Sequence, residues 1–255
     1  MPSHHGHQRL ESQSPESYER VGCLTMTLRT TSVPVLLYLG VVLLLYSFQV
    51  ATHFQNHAQY RNFLIGLVVG CLFFCKFCQC SALYVFGHEL THYLVAKLFR
   101  KETGRFRVRA REGSVEVADP NFWIILAPYF VPFWMLLIAG ICGLHLFFAN
   151  SQVSPLTIGI YQFLLGLTAA HHLVLTITGI YHGQSDLRRC GTIFSLSLIL
   201  ACNALMLAIG LLTATGAWSS APAELGAYFT RTADWFIQIF HAVRAFVADL
   251  PRQGN

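Results

Sequence analysis

The chain predicts an all-α polytopic membrane protein of about five transmembrane helices, with a short cytoplasmic β-hairpin and a C-terminal amphipathic helix. Three observations lead there. Of its 255 residues, 54% are hydrophobic and only 11% charged, against about 25% charged in soluble domains. The apolar residues gather into five runs, 33–50, 63–99, 122–149, 155–180 and 193–212, each reaching or approaching the ~20 residues of a spanning helix. The basic residues, finally, fall on alternate connections between those runs, as membrane orientation requires.

Residues 1–31 are rich in Ser, Gln, Glu and Pro and read as a disordered cytoplasmic tail. They do not read as a signal peptide, because the first apolar run starts only at Val33 and no small-residue cleavage site follows it. Residues 32–214 form the membrane-embedded domain. Its second run would extend about 55 Å as one helix, too long for a simple crossing, so it is either one long helix or a broken one. Residues 105–119 alternate Phe106, Val108 and Ala110 with Arg105, Arg107 and Arg109, then resume at Val115 and Val117. That is a hairpin pattern, with its turn near Glu112-Gly113-Ser114. Pro128 and Pro132 would kink the third run. In the segment 215–255, Leu225, Phe229, Trp235, Ile239, Val243 and Phe246 share one side and Arg231, Asp234 and Arg244 lie elsewhere. Such a helix suits the membrane interface.

Orientation follows from the charges. Arg9, Arg20 and Arg29 precede the first run; Lys97, Arg100, Lys101, Arg105, Arg107, Arg109 and Arg111 follow the second; Arg188 and Arg189 lie between the fourth and fifth. The opposite connections hold only Arg61. Five crossings with a cytoplasmic N-terminus put all three basic segments on one side, in a membrane such as the bacterial inner membrane. Basic residues confined to span ends report topology and give no sign of nucleic-acid binding. The eight cysteines mostly sit in apolar runs, where thiols behave as small hydrophobes. Cys75-x-x-Cys78-x-Cys80 lacks the second pair a zinc ribbon needs.

Chemistry enters with His88-Glu89-Leu90-Thr91-His92, set between Ala82-Leu83-Tyr84-Val85-Phe86-Gly87 and Tyr93-Leu94-Val95-Ala96. Histidines four apart lie one above the other on a helix, so their rings can converge on one metal ion. The glutamate between them is placed to act as general base on a water activated there. A catalytic zinc site wants a third protein ligand. From 120 to 223 the only acidic side chain is Asp186, at the cytoplasmic end of the fourth run. His88 and His92 sit in the final third of the second run, which ends on that same side. His172, His182 and Gln184 are candidates for stabilising an oxyanion or supporting a ligand. A histidine in a span is more often bonded to a neighbouring helix than to a metal, which is the reading for His145, while either His171 or His172 could face the cavity and stabilise a tetrahedral intermediate.

Together these features resemble the site-2 protease family of intramembrane zinc metalloproteases. The likeness rests on Gly87-His88-Glu89-Leu90-Thr91-His92-Tyr93-Leu94-Val95-Ala96, the hairpin that follows, Leu126-Ala127-Pro128 and the helix end bearing Asp186, and covers roughly 82–191. It implies one Zn²⁺ per chain held by His88, His92 and Asp186, Glu89 as general base, and hydrolysis of peptide bonds in single-span membrane proteins. The hairpin strands around Val108, Val115 and Val117 could take up an extended substrate segment by strand addition. The family's aspartate usually arrives in N-x-x-P-x-x-x-x-D-G, whereas here Thr178-Gly179-Ile180-Tyr181-His182-Gly183-Gln184-Ser185-Asp186-Leu187 lacks both the asparagine and the proline. Two further readings stand beside this one. A catalytically degenerate scaffold could bind single-span proteins. A membrane di-iron oxygenase would use the paired His171-His172, but such sites draw on several histidine boxes, and the spans and their cytoplasmic connections hold one box and six histidines.

Overall fold

The computed structural model describes residues 15–52, 60–77, 82–109, 113–149, 152–181, 185–215 and 218–249. In chain order it contains α1 (Pro15–Thr52), α2 (Arg61–Phe77), α3 (Ala82–Leu98), β1 (Thr103–Val108), β2 (Gly113–Val117), α4 (Phe122–Leu126), α5 (Phe133–Phe148), α6 (Pro155–Tyr181), α7 (Ser185–Cys190), α8 (Thr192–Thr215) and α9 (Ala221–Asp249). A 3₁₀ turn, Ala127–Tyr129, follows α4. Three helical segments are long and apolar enough to cross a membrane: Met26–Thr52, Pro155–Tyr181 and Thr192–Thr213. A fourth is added if Phe122–Tyr129 and Phe133–Phe148, which meet at 74°, make one span. That bend falls at Pro128 and Pro132, where proline removes an amide donor and its ring crowds the preceding turn.

The long second run is described as two helices, one on each side of residues 78–81, which lie outside the described residues. These are α2 and α3, 17 residues each, or about 25 Å apiece. Neither alone reaches the length of an ordinary crossing. Of the expected N-terminal tail, residues 1–14 lie outside the described residues, and from Pro15 the backbone is helical. Extending an established helix costs far less than starting one, and a proline with no N–H to satisfy is suited to the first turn.

Two parallel helix pairs frame the molecule. α2 lies along α6 with Asn62 at Gly159, Phe63 at Gly166, Gly66 at Phe163, Gly70 at Leu167 and Ala170, and Phe74 against His171. A Cβ on Gly66 would stand 2.1 Å from the Phe163 carbonyl oxygen, and one on Gly166 2.0 Å from that of Phe63. Lipid tails are as apolar as leucine, so close approach of small residues holds such helices together. Gly66-Leu67-Val68-Val69-Gly70 is the sequence signature of that contact. α1 lies along α8 in the same sense: Arg29 meets Cys190 and Phe194, and Gly40 meets Leu200 and Ala201. Leu43, Tyr46 and Val50 join Ala204, Ala208 and Leu212 in one buried cluster further along.

The second buried cluster positions the site. Ile125, Leu126 and Tyr129 pack with Leu187, Cys190, Phe194, Leu198 and Ile199, tying α4 and the 3₁₀ turn to α7 and the start of α8. Leu187 is 2% exposed and its carbonyl accepts a hydrogen bond from Ser195 Oγ at 3.1 Å. The short α7 is thereby pinned, with Asp186 presented beside its buried neighbour. The expected hairpin is present, β1 antiparallel to β2 with Phe106 opposite Val115 and Val108 opposite Gly113. Phe106 packs on Phe86 and Tyr93, which lays the hairpin against α3. α9 is amphipathic as expected, but it leans along α1 rather than lying apart from the bundle: Tyr38 packs edge-on or tilted against Phe229 and Phe236.

Candidate metal centre

α3 carries Tyr84, His88 and His92 on successive turns of one face. The two histidine Nε2 atoms lie 3.2 Å apart, and Asp186 Oδ2 stands 3.6 Å from His88 Nε2 and 3.7 Å from His92 Nε2. The equidistant point in their own plane lies about 2.0 Å from each, and an ion set out of that plane with tetrahedral angles would lie about 2.1 Å from each, within the range of zinc to imidazole nitrogen or carboxylate oxygen. Two imidazole nitrogens in the donor set suit a transition metal better than calcium, which takes oxygen ligands. At such bond lengths tetrahedral ligands lie about 3.3 Å apart and cis octahedral ligands about 2.9 Å. The observed edges fall nearer the tetrahedral spacing. Among the described residues, His88, His92 and Asp186 are the one group of three metal-ligating side chains so gathered.

Each ligand is steadied by the fold. His92 Nδ1 lies 2.7 Å from the Ile124 carbonyl oxygen. Donating its proton there leaves the Nε2 lone pair free for a metal. That carbonyl is held in turn by α4, whose first turn is capped by Asn121 Oδ1 accepting from the Ile124 amide at 3.0 Å. Tyr129, 1% exposed, donates its hydroxyl to Asp186 Oδ2 at 3.2 Å and packs edge-on against His88. Burial opposes the charge on Asp186, but hydrogen bonding and charge from His88 and His92 outweigh it and hold the carboxyl well below the usual carboxylate range.

Glu89 is not part of the triangle. It lines the same cleft, about 390 Å³, together with His88, His92, Asp186 and the β2 residues Val115 and Val117. The Val115 backbone faces its carboxylate. Glycine at the start of β2 makes this approach possible: a Cβ on Gly113 would stand 2.5 Å from Glu89 Cγ and 2.6 Å from Val85 Cγ1. Gly113→Val should consequently displace the hairpin or Glu89 while leaving the three ligands in place. For the hydrolysis that the sequence resemblance implies, with Glu89 as general base, we expect kcat to fall by about 10²-fold, the cost of misplacing a reacting group by about 1 Å, at unchanged metal content. Wild-type turnover in that variant would refute the role given to Gly113.

Of the remaining expected site residues, Val108 pairs with Gly113 at the turn end of the hairpin. His172 Nε2 lies 3.1 Å from Asn203 Oδ1, so one ring nitrogen is already committed. It lines a chamber of about 40 Å³ behind His88, with Tyr129, Trp134 and His171. His182 and Gln184 lie outside the described residues. Sequence reasoning missed Tyr129 and the Ile124 carbonyl. The first left a faint trace, a tyrosine following Leu126-Ala127-Pro128 in an apolar run, where a buried hydroxyl must find a partner. The second, a backbone atom, left none.

Comparisons with protein-family models, with curated proteins and with solved structures return no match.

Proposed function

We propose that the chain is an intramembrane zinc metalloprotease of the site-2 protease type, cleaving peptide bonds of membrane-embedded, single-span proteins. The observation that carries this reading is the His88, His92 and Asp186 triangle, sized for a tetrahedral metal, with Glu89 in the same cleft and outside the ligand set. A zinc ion held there would supply an acidified water and a Lewis acid for a peptide carbonyl. Glu89 takes a proton from the attacking water as its oxygen bonds to the carbonyl carbon. It returns that proton to the amide nitrogen as the C–N bond breaks.

A helical peptide bond is shielded by its own hydrogen bonds, so the substrate must unwind before it reacts. β2 lines the cleft with Gly113, Ser114, Val115 and Val117, and adding an extended segment to this small sheet would hold the scissile bond near the ligands. Five crossings are supported by the helix pairing. Alternating spans require the second and fourth to run in one direction and the first and fifth in the other. α2 runs parallel to α6 and α1 parallel to α8. With the basic connections inward, the N-terminus and the cleft face the cytoplasm, and the size and basic-loop pattern suit a bacterial inner membrane.

The missing asparagine and proline near Asp186 favour, as a second reading, a scaffold that binds single-span proteins without cutting them. Purified protein separates these readings. We expect one zinc per chain by elemental analysis, and cleavage of some members of a panel of single-span substrates that stops with chelator and returns with added zinc. Zinc with no cleavage across the panel would leave the scaffold. Two irons per chain would favour the oxygenase.

A further inference from the structure

α9 descends along α1 from the end near Val50 toward its middle. Ala221 packs with Val50 and Leu212, Tyr228 meets Tyr46, and Phe229 and Phe236 meet Tyr38. Tyr38 Oη donates to the Phe229 carbonyl at 2.8 Å and lies 3.0 Å from Thr232 Oγ1. Tyr38 stands at the centre of the candidate span Met26–Thr52. The middle of α9 therefore lies at mid-depth of that span. The face turned to α1 holds Leu225, Phe229, Thr232 and Phe236. At 100° per residue, Thr230, Arg231, Asp234, Gln238 and His241 fall within one arc on the far side, and all five are exposed.

Ionised side chains at that depth and facing lipid are costly, and arginine can reach the headgroups only from near a helix end. A polar stripe on a membrane helix is stable when another polar stripe covers it. We infer that this stripe is the contact with a second copy of the chain, related by a two-fold axis along the membrane normal. Arg231 and Asp234 carry opposite charges one turn apart. A two-fold partner running in the same direction sets each Arg231 against the partner's Asp234, so the stripe is complementary to itself. An apolar substrate helix offers no such match.

Charge swaps in the full-length protein test this, using two differently tagged copies co-expressed in the same membrane. Wild-type copies should co-purify. Arg231→Asp copies should lose co-purification with each other by at least about 10-fold, and so should Asp234→Arg copies, because each pair then faces like charge with like. An Arg231→Asp copy together with an Asp234→Arg copy should recover the wild-type yield, which also shows that both variants fold. Failure of the wild-type copies to co-purify, equal recovery in every combination, or no recovery in the mixed pair would each overturn the inference. As a second measurement, Gln238→Cys should give a disulfide-linked dimer under mild oxidation that the wild-type chain does not form, and its absence counts equally against the contact. Neither readout depends on proteolysis, so the outcome stands apart from that of the proposed activity.

Discussion

Asp186→Ala is expected to strip the metal from an otherwise folded protein. Supporting partners one bond beyond a ligand already cost about 10–100-fold in metal affinity when removed, so the loss of a ligand should cost at least on the order of 10³-fold. Two features make Asp186 hard to replace. It is the only acidic side chain between 120 and 223, and α7 is anchored by Leu187 and Cys190, both nearly inaccessible, so another residue cannot readily move into its place. Asp186→Asn should fall between, since the amide oxygen can still accept from Tyr129 but brings no charge to the cation. Tyr129→Phe, which removes only the hydroxyl that holds Oδ2, should weaken binding by about 10–100-fold. Zinc per chain after dialysis against a graded chelator series measures all three. A full complement of zinc in Asp186→Ala would mean that this carboxylate is not a ligand.

Much of this site is legible in the amino-acid sequence. His88-Glu89-Leu90-Thr91-His92 announces itself because an α-helix stacks residues four apart, and local geometry alone brings the two rings together. Asp186 lies ninety-four residues beyond His92 in the chain, yet scarcity found it: in an apolar stretch a lone acid stands out. The proline bend at 128–132 and the hairpin at Arg105–Val117 follow from local rules of the same kind. Tertiary placements were harder to read. Nothing in the composition of α9 says whether its apolar face meets lipid headgroups or the side of α1, because both partners are apolar. The carbonyl that orients His92 belongs to Ile124, whose side chain has no bearing on that bond. Even the GxxxG-like spacing of Gly66 and Gly70 marks a contact surface without naming α6 as its partner.

Glu89→Gln is the substitution with the largest expected effect on turnover. Glutamine has the shape of glutamate and fills the same space beside Gly113, so the hairpin should stay seated on α3. His88, His92 and Asp186 are untouched, so zinc should remain at one per chain. What disappears is the ability to take a proton from the attacking water. General base catalysis contributes about 10²–10⁴-fold, and a loss in that range, at nearly unchanged KM, is the expected result. Glu89→Asp keeps the charge but draws the carboxylate back by one methylene, about 1.5 Å, away from the ligands, and a shift on that scale costs about 10²-fold. Glu89→Ala is less informative, because it also empties the space that Gly113 leaves for the side chain. Cleavage of a single-span substrate, followed alongside zinc content, separates the outcomes. Loss of turnover with zinc retained marks Glu89 as the base. Loss of both would make it a ligand, contrary to its position outside the triangle. Full turnover in Glu89→Gln would remove the protease reading altogether, since among the described residues no other carboxylate lines the cleft beside Asp186.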